Sequence, residues 1–173
     1  MTKNKDTINI AILGAGTVGS GVYELCNTMN DDIYHKTGEK LSVKKILVRN
    51  ASKKREGIPA EILTDKWEDI INDDDIDIIV ELMGGINPAR EYVLEALGKG
   101  KQVVTANKDL LAECGEAVMD AAKNAECDLQ FEAAVAGAIP IIRPLKQSMA
   151  GNNITEIMGI VNGTTNYLSL IHI

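Results

Sequence analysis

The sequence predicts an α/β protein whose core is a doubly wound, mostly parallel sheet, and three observations carry that prediction. Short β-branched runs alternate with helix-length segments along the chain, the order that βαβ crossovers require. Aromatic residues make up only 3% of the chain, so Ile, Val, Leu, Ala and Met must build the core, as in strands buried on both faces. The first run stops at Gly14-Ala15-Gly16-Thr17-Val18-Gly19, a glycine-rich turn from strand into helix.

The elements follow in order. Residues 8–13 (INIAIL) read as a buried strand that stops at glycine, and a helix follows over about 18–29. Residues 41–48 (LSVKKILV) read as the second strand and 53–60 as a basic, irregular connection. Residues 77–82 (DIIVEL) form the third strand, closed by Gly84-Gly85. Asn87-Pro88 starts a helix that runs to about Gly98, with Asn as its cap and Pro where a missing N–H does no harm. The fourth strand is 102–105 (QVVT), followed by an Ala-rich helix over about 110–125 and a fifth strand at 128–133 (DLQFEA). After about Ala138 the character changes: Pro140, Pro144 and the Gly151-Asn152-Asn153 turn precede a sixth strand at 154–161 (ITEIMGIV). The domains expected are therefore 1–138, a dinucleotide-binding unit, and 139–167, the entrance to a second unit.

Composition narrows the function classes. The 173 residues suffice for one substantial core, and 45% apolar with 25% charged residues is the balance of a globular protein. A net charge of −7, without a long basic tract, repels nucleic-acid phosphates and anionic membranes, so neither is an expected partner. Cys26, Cys114 and Cys127 show no metal-ligand spacing and read as reduced, structural thiols. The polar N-terminus and the short apolar run after it make neither a signal peptide nor a membrane span, which places the protein in the cytoplasm.

The glycine turn carries the first chemistry. Gly14 permits the tight turn, Gly16 lets the backbone approach a pyrophosphate, and Gly19 lets helix and strand pack closely. The free N–H groups and positive end of the helix then face the phosphate charge. An NAD site usually places an acid about 20 residues further on, against the ribose 2′-hydroxyl. This chain instead carries Arg49 and Asn50, with Lys53, Lys54 and Arg55 behind them, which suits the 2′-phosphate of NADP. For the three later residues a solvated basic loop is an equal alternative.

Three more strand ends hold polar residues where open α/β sheets bind ligands. Lys108, in Thr105-Ala106-Asn107-Lys108, is either a binding or proton-transfer lysine or a surface residue near a helix start. Glu132 is one carboxylate in an otherwise apolar stretch, either part of an oxygen-ligated cation site or a helix-capping acid. Asn162-Gly163-Thr164-Thr165-Asn166 is a polar turn that also keeps a binding role open.

Taken together, GAGTVG, LVRN with its basic loop, ELMGG, TANK, FEAAVAGAIPII and NGTTNY resemble, in this order, the homoserine dehydrogenase family. That family interconverts L-homoserine and L-aspartate 4-semialdehyde with NAD(P)H in threonine, methionine and isoleucine biosynthesis. The resemblance runs from Ile8 to about Tyr167. It implies a Rossmann-type domain followed by an α+β substrate and dimerisation domain, and a homodimer for the full-length enzyme. It also implies that Gly14, Ala15, Gly16, Thr17, Val18 and Gly19 hold the pyrophosphate, Arg49 the 2′-phosphate, and Gly84 and Gly85 the ribose and nicotinamide. Lys108 would contact cofactor and take part in catalysis, and Thr164 would contact the substrate. Glu132, with backbone carbonyls of Val135, Gly137 and Ile139, would hold a monovalent cation, sodium.

Three departures qualify the resemblance. Where the family commonly has two glycines after AVA, this chain has Gly137-Ala138. The family's second catalytic lysine and its acidic stretch lie beyond NGTTNY, so a chain truncated there is expected to be inactive alone. Residues 168–173 (LSLIHI) leave the family pattern and match one frame of a translated sequencing adapter, so they are expected to be non-native. A stand-alone NADP-binding module without turnover is the alternative reading.

Overall fold

The computed structural model describes residues 6–137 and 139–159. Thr164, the end of the sixth predicted strand and the 168–173 tail lie outside the described residues.

Six strands make one sheet: β1 Thr7–Leu13, β2 Lys40–Leu47, β3 Leu63–Thr64, β4 Ile78–Glu81, β5 Gln102–Thr105 and β6 Leu129–Gln130. Their order across the sheet is β3-β2-β1-β4-β5-β6, and every pairing is parallel. The order reverses between β1 and β4, which opens a crevice above their carboxyl ends.

Both faces of the sheet are covered, because successive side chains of a strand point to opposite sides. From β1, Ile10 and Ile12 join Cys26, Ile46, Val48 and Val80 beneath helix α1 (Thr17–Thr28). Ala11 and Leu13 join Ile79, Val103, Val93, Leu97, Leu110 and Val118 on the other face. That second face is closed by α3 (Glu68–Ile71), α4 (Ala89–Gly98) and α5 (Lys108–Asn124). A fully buried Ile, Leu or Val stabilises the fold by about 1.5–3 kcal/mol relative to its exposed state. Ile12, Leu13, Ile46, Ile79, Leu97 and Val103 are all in that condition.

The structure alters the predicted elements at several points. A polar helix, α2 (Asn30–Thr37), follows α1 after Met29 and ends at Gly38, whose φ of 79° is the left-handed conformation of a helix stop. The short β3 and α3 were not foreseen. Helix α4 starts at Ala89 with Pro88 in the cap position and no side-chain cap from Asn87. The carbonyls of Ile86 and Pro88 receive the N–H groups of Arg90 and Tyr92 instead. Strand β6 spans two residues rather than six, because Glu132–Ala134 turn into a 3-10 helix. Residues 154–159 form no strand and lie exposed, with no strand among the described residues paired to them.

Candidate functional site

The glycine turn sits at the reversal point, between the ends of β1, β2 and β4. Gly14 N donates to Leu47 O at 2.9 Å, which ties the turn to β2. Gly14 has a φ of +104°, and a Cβ there would stand 3.0 Å from Leu82 O. At Gly19 a Cβ would stand 2.0 Å from Gly14 O, so helix α1 approaches the turn more closely than any other residue permits. Gly16 caps α1 and has open space above it. The N–H groups of Thr17, Val18 and Gly19 belong to the first helical turn and meet no carbonyl of their own helix. The loop is thus shaped for an anion at the helix end.

A cleft of about 480 Å³ opens beside this turn. Gly14, Ala15, Gly16, Arg49 and Gly84 line it, so five of the residues singled out in the sequence meet in one place. The cleft also takes Arg55, Asp65, Met83, Asn87 and Tyr92, of which the sequence offers only Arg55 as a ligand contact. Lys53 and Lys54 are not in its wall, and Arg55 spends one guanidinium nitrogen on the carbonyls of Asn50 (3.2 Å) and Lys53 (3.0 Å). Asp65 follows β3, so recognising that strand would have exposed it as a strand-end acid.

On the β4–β5 side, Gly84 and Gly85 have φ values of 73° and 72°, in the region only glycine adopts freely. Lys108 is exposed as the first residue of α5, one residue after the cap Asn107. Beneath them lies Glu81, fully buried. Its carboxyl accepts from Met83 N (2.8 Å), Thr105 Oγ1 (2.6 Å) and Asn107 Nδ2 (3.5 Å). Asn107 Nδ2 also donates to Gly85 O at 2.6 Å, while its Oδ1 accepts from Leu110 N at 3.1 Å. The sequence reading quoted ELMGG and assigned Glu81 no role, since nothing local distinguishes this acid from a surface one.

Glu132 lies further along the same edge of the sheet, where its 3-10 turn packs beside β5. Its carboxylate accepts N–H donation from Ile141, from Ile142 at 2.9 Å and from Arg143 at 2.8 Å. Desolvation raises its pKa, but the backbone donors at Arg143, Ile141 and Ile142, with the Arg143 charge, together outweigh it and hold the group below its ordinary value. The side chain therefore works as a cap for the segment at 141–143. Ala136 and Gly137 adopt left-handed φ values of 55° and 49°, which curls the loop over residues 135–139. None of the loop's hydrogen bonds among the described residues ends on the carbonyls of Val135, Gly137 or Ile139.

Two further features bound the possibilities. No helix among the described residues is long and apolar enough to cross a membrane. A second cleft of about 530 Å³, between α1 and residues 56–58, is walled partly by Glu24 and Glu56, which repel an anionic cofactor.

A family model described as the NAD binding domain of homoserine dehydrogenase matches residues 14–132, and a second model, described as homoserine dehydrogenase, matches residues 140–170. The chain is 45% identical over 162 residues to the homoserine dehydrogenase of Bacillus subtilis, covering 93% of this chain and 37% of that protein. It is 50% identical over 161 residues to the homoserine dehydrogenase of Corynebacterium glutamicum, covering 93% and 36% respectively. Among solved structures, the homoserine dehydrogenase of Thiobacillus denitrificans is 41% identical with a TM-score of 0.83, over 94% of this chain and 38% of that one. The chain thus spans little more than a third of the length of these relatives.

Proposed function

Because the chain belongs to the homoserine dehydrogenase family, we propose that it holds NADP in the cleft at the sheet's reversal point and contributes that cofactor to interconversion of L-homoserine and L-aspartate 4-semialdehyde. The observation that carries this reading is the turn at 14–19, where Gly19 has no room for a Cβ and the helix end opens into the cleft. The cofactor, when bound, supplies or accepts a hydride at nicotinamide C4. Gly14, Ala15, Gly16, Thr17, Val18 and Gly19 receive the pyrophosphate, Arg49 the 2′-phosphate, and Gly84 with Gly85 the ribose and nicotinamide. Lys108 meets the nicotinamide side and takes part in proton handling, and Thr164 contacts substrate.

Residues 1–138 act as the cofactor domain and 139–167 open the substrate domain, a division supported by family matches over 14–132 and 140–170. The substrate is a small molecule, the compartment the cytoplasm, and the whole enzyme a homodimer through the second domain. Glu132 with the carbonyls of Val135, Gly137 and Ile139 holds a monovalent cation, sodium, a reading supported by the curled loop and by carbonyls that accept no hydrogen bond from the described residues. Changing sodium for tetramethylammonium at equal ionic strength should shift the amide resonances of residues 135–139. Identical spectra would remove the cation.

Titration of the chain with NADPH and NADH tests the cofactor reading. Arg49→Ala should weaken NADPH about tenfold or more, as loss of a charge-assisted hydrogen bond does, and leave NADH within about twofold. Equal losses would reduce Arg49 to a solvated residue. Turnover of homoserine with NADP should be negligible in these 173 residues and appear in an enzyme of the relatives' length. Full activity of the short chain would refute the assignment of essential groups to the longer one.

A further inference from the structure

The geometry points to Glu81 as a positioning residue that sets Gly84-Gly85 and Lys108, the two strand ends on the nicotinamide side, at one fixed spacing. This rests on the cofactor reading above and deepens it.

Glu81 is fully buried, and a buried carboxyl is tolerated only with its hydrogen bonds made. Each side-chain hydrogen bond it makes among the described residues is a donation to it, and the donors come from three separate places. Met83 N belongs to the loop that leads to Gly84. Thr105 ends β5, and Asn107 caps α5. An apolar residue of similar volume would fill this position at lower desolvation cost, so the acid's contribution lies in the arrangement it imposes.

The arrangement works through Asn107. Its amide nitrogen faces two acceptors, Glu81 Oε1 and Gly85 O, and its amide oxygen faces Leu110 N. A flipped amide would set its oxygen against both acceptors and lose the cap. Thr105 adds a second restraint, because its hydroxyl donates to Glu81 Oε2 and accepts Asn107 N at 3.0 Å. Glu81, through Thr105 and with Gly85 O and Leu110 N, therefore holds Asn107 in one orientation. Asn107 in turn holds Gly85 at one end and the start of α5, with Lys108, at the other. Glu81, Thr105 and Asn107 themselves are absent from the wall of the cleft that Arg49 lines.

The test separates the two halves of the cofactor. The 173-residue chain is titrated with NADPH and with adenosine 2′,5′-bisphosphate, which carries the 2′-phosphate and no nicotinamide. Glu81→Gln and Thr105→Val should each weaken NADPH about tenfold and leave the bisphosphate within about twofold, while Thr105→Ser binds both like the parent. Unchanged NADPH binding in the first two variants would overturn the inference. So would equal weakening of both ligands, the signature of a merely structural acid. If Glu81→Gln does not fold, the Thr105→Val and Thr105→Ser pair decides by the same criteria. A parent that binds the bisphosphate and not NADPH removes the nicotinamide-side reading and this inference with it. A parent that binds neither ligand fails the cofactor reading itself, and the inference falls with that.

Discussion

Gly19 shows how far one residue is constrained by a backbone contact rather than by its own conformation. Its φ is an ordinary helical one, yet an added Cβ would collide with Gly14 O at 2.0 Å, so α1 must move for any larger residue to enter. Gly19→Ala should cost about 1–3 kcal/mol in urea denaturation, the range for overpacking, and abolish NADPH binding because the loop shifts with the helix. Unaltered stability and affinity would show that the turn has slack. Glu132 carries the pH prediction. Its folded pKa is lowered, so its stabilisation of the 141–143 segment is present above its unfolded pKa and is lost as pH falls through the folded one. The amide shifts of Ile141, Ile142 and Arg143 should titrate together, with a midpoint below that of a free glutamate. A midpoint at the free value would mean that the carboxylate is not capping.

At the scale of the element, the strands that were legible are the continuous runs between punctuating residues. INIAIL and QVVT are rich in β-branched residues and bounded by Gly, Lys or Ala-Asn, so burial on both faces could be read directly. Strand β3 has only two residues, and Leu63-Thr64 carries no periodicity to detect. At β6 the apolar run continues to Ala134, while the backbone leaves the sheet where Glu132 meets the N–H groups beyond it, a contact invisible in the local pattern. Helix α2 is polar and lacks a buried side chain; Asn30 ties it to β2 through Leu41 O (2.8 Å) and Leu41 N (2.9 Å), and the rest of its support is local: acids Asp31 and Asp32 in the first turn, His35 and Lys36 in the last, and the left-handed Gly38. Gly38→Ala should therefore cost about 1 kcal/mol, the penalty of a left-handed L-residue, without affecting NADPH binding. A neutral substitution would indicate that α2 ends elsewhere in solution.

At the scale of the whole molecule, the cleft joins the ends of β1, β2 and β4, so a ligand in it braces the sheet across its reversal point. NADP at about a hundred times its dissociation constant should raise the unfolding free energy by about 2.7 kcal/mol, read as an increase in melting temperature. NADH at the same concentration should raise it less, and equal shifts would argue against a 2′-phosphate contact at Arg49.

The amino-acid sequence by itself determined the α/β class, the glycine turn, the strand-end motifs and the family they resemble. Each of these depends on local conformation or on a short burial pattern, and both can be read residue by residue. Tertiary structure alone decided the order β3-β2-β1-β4-β5-β6, the entry of Asp65 and Tyr92 into the cleft, and the bonds of Glu81. Glu81 meets Thr105 and Asn107 across separations of 24 and 26 residues, and only the parallel pairing of β4 with β5 brings those strand ends together. A carboxyl with no local signature thus became the buried centre of the β4 and β5 strand ends, because burial and hydrogen-bond partners are properties of the packed sheet and not of the chain.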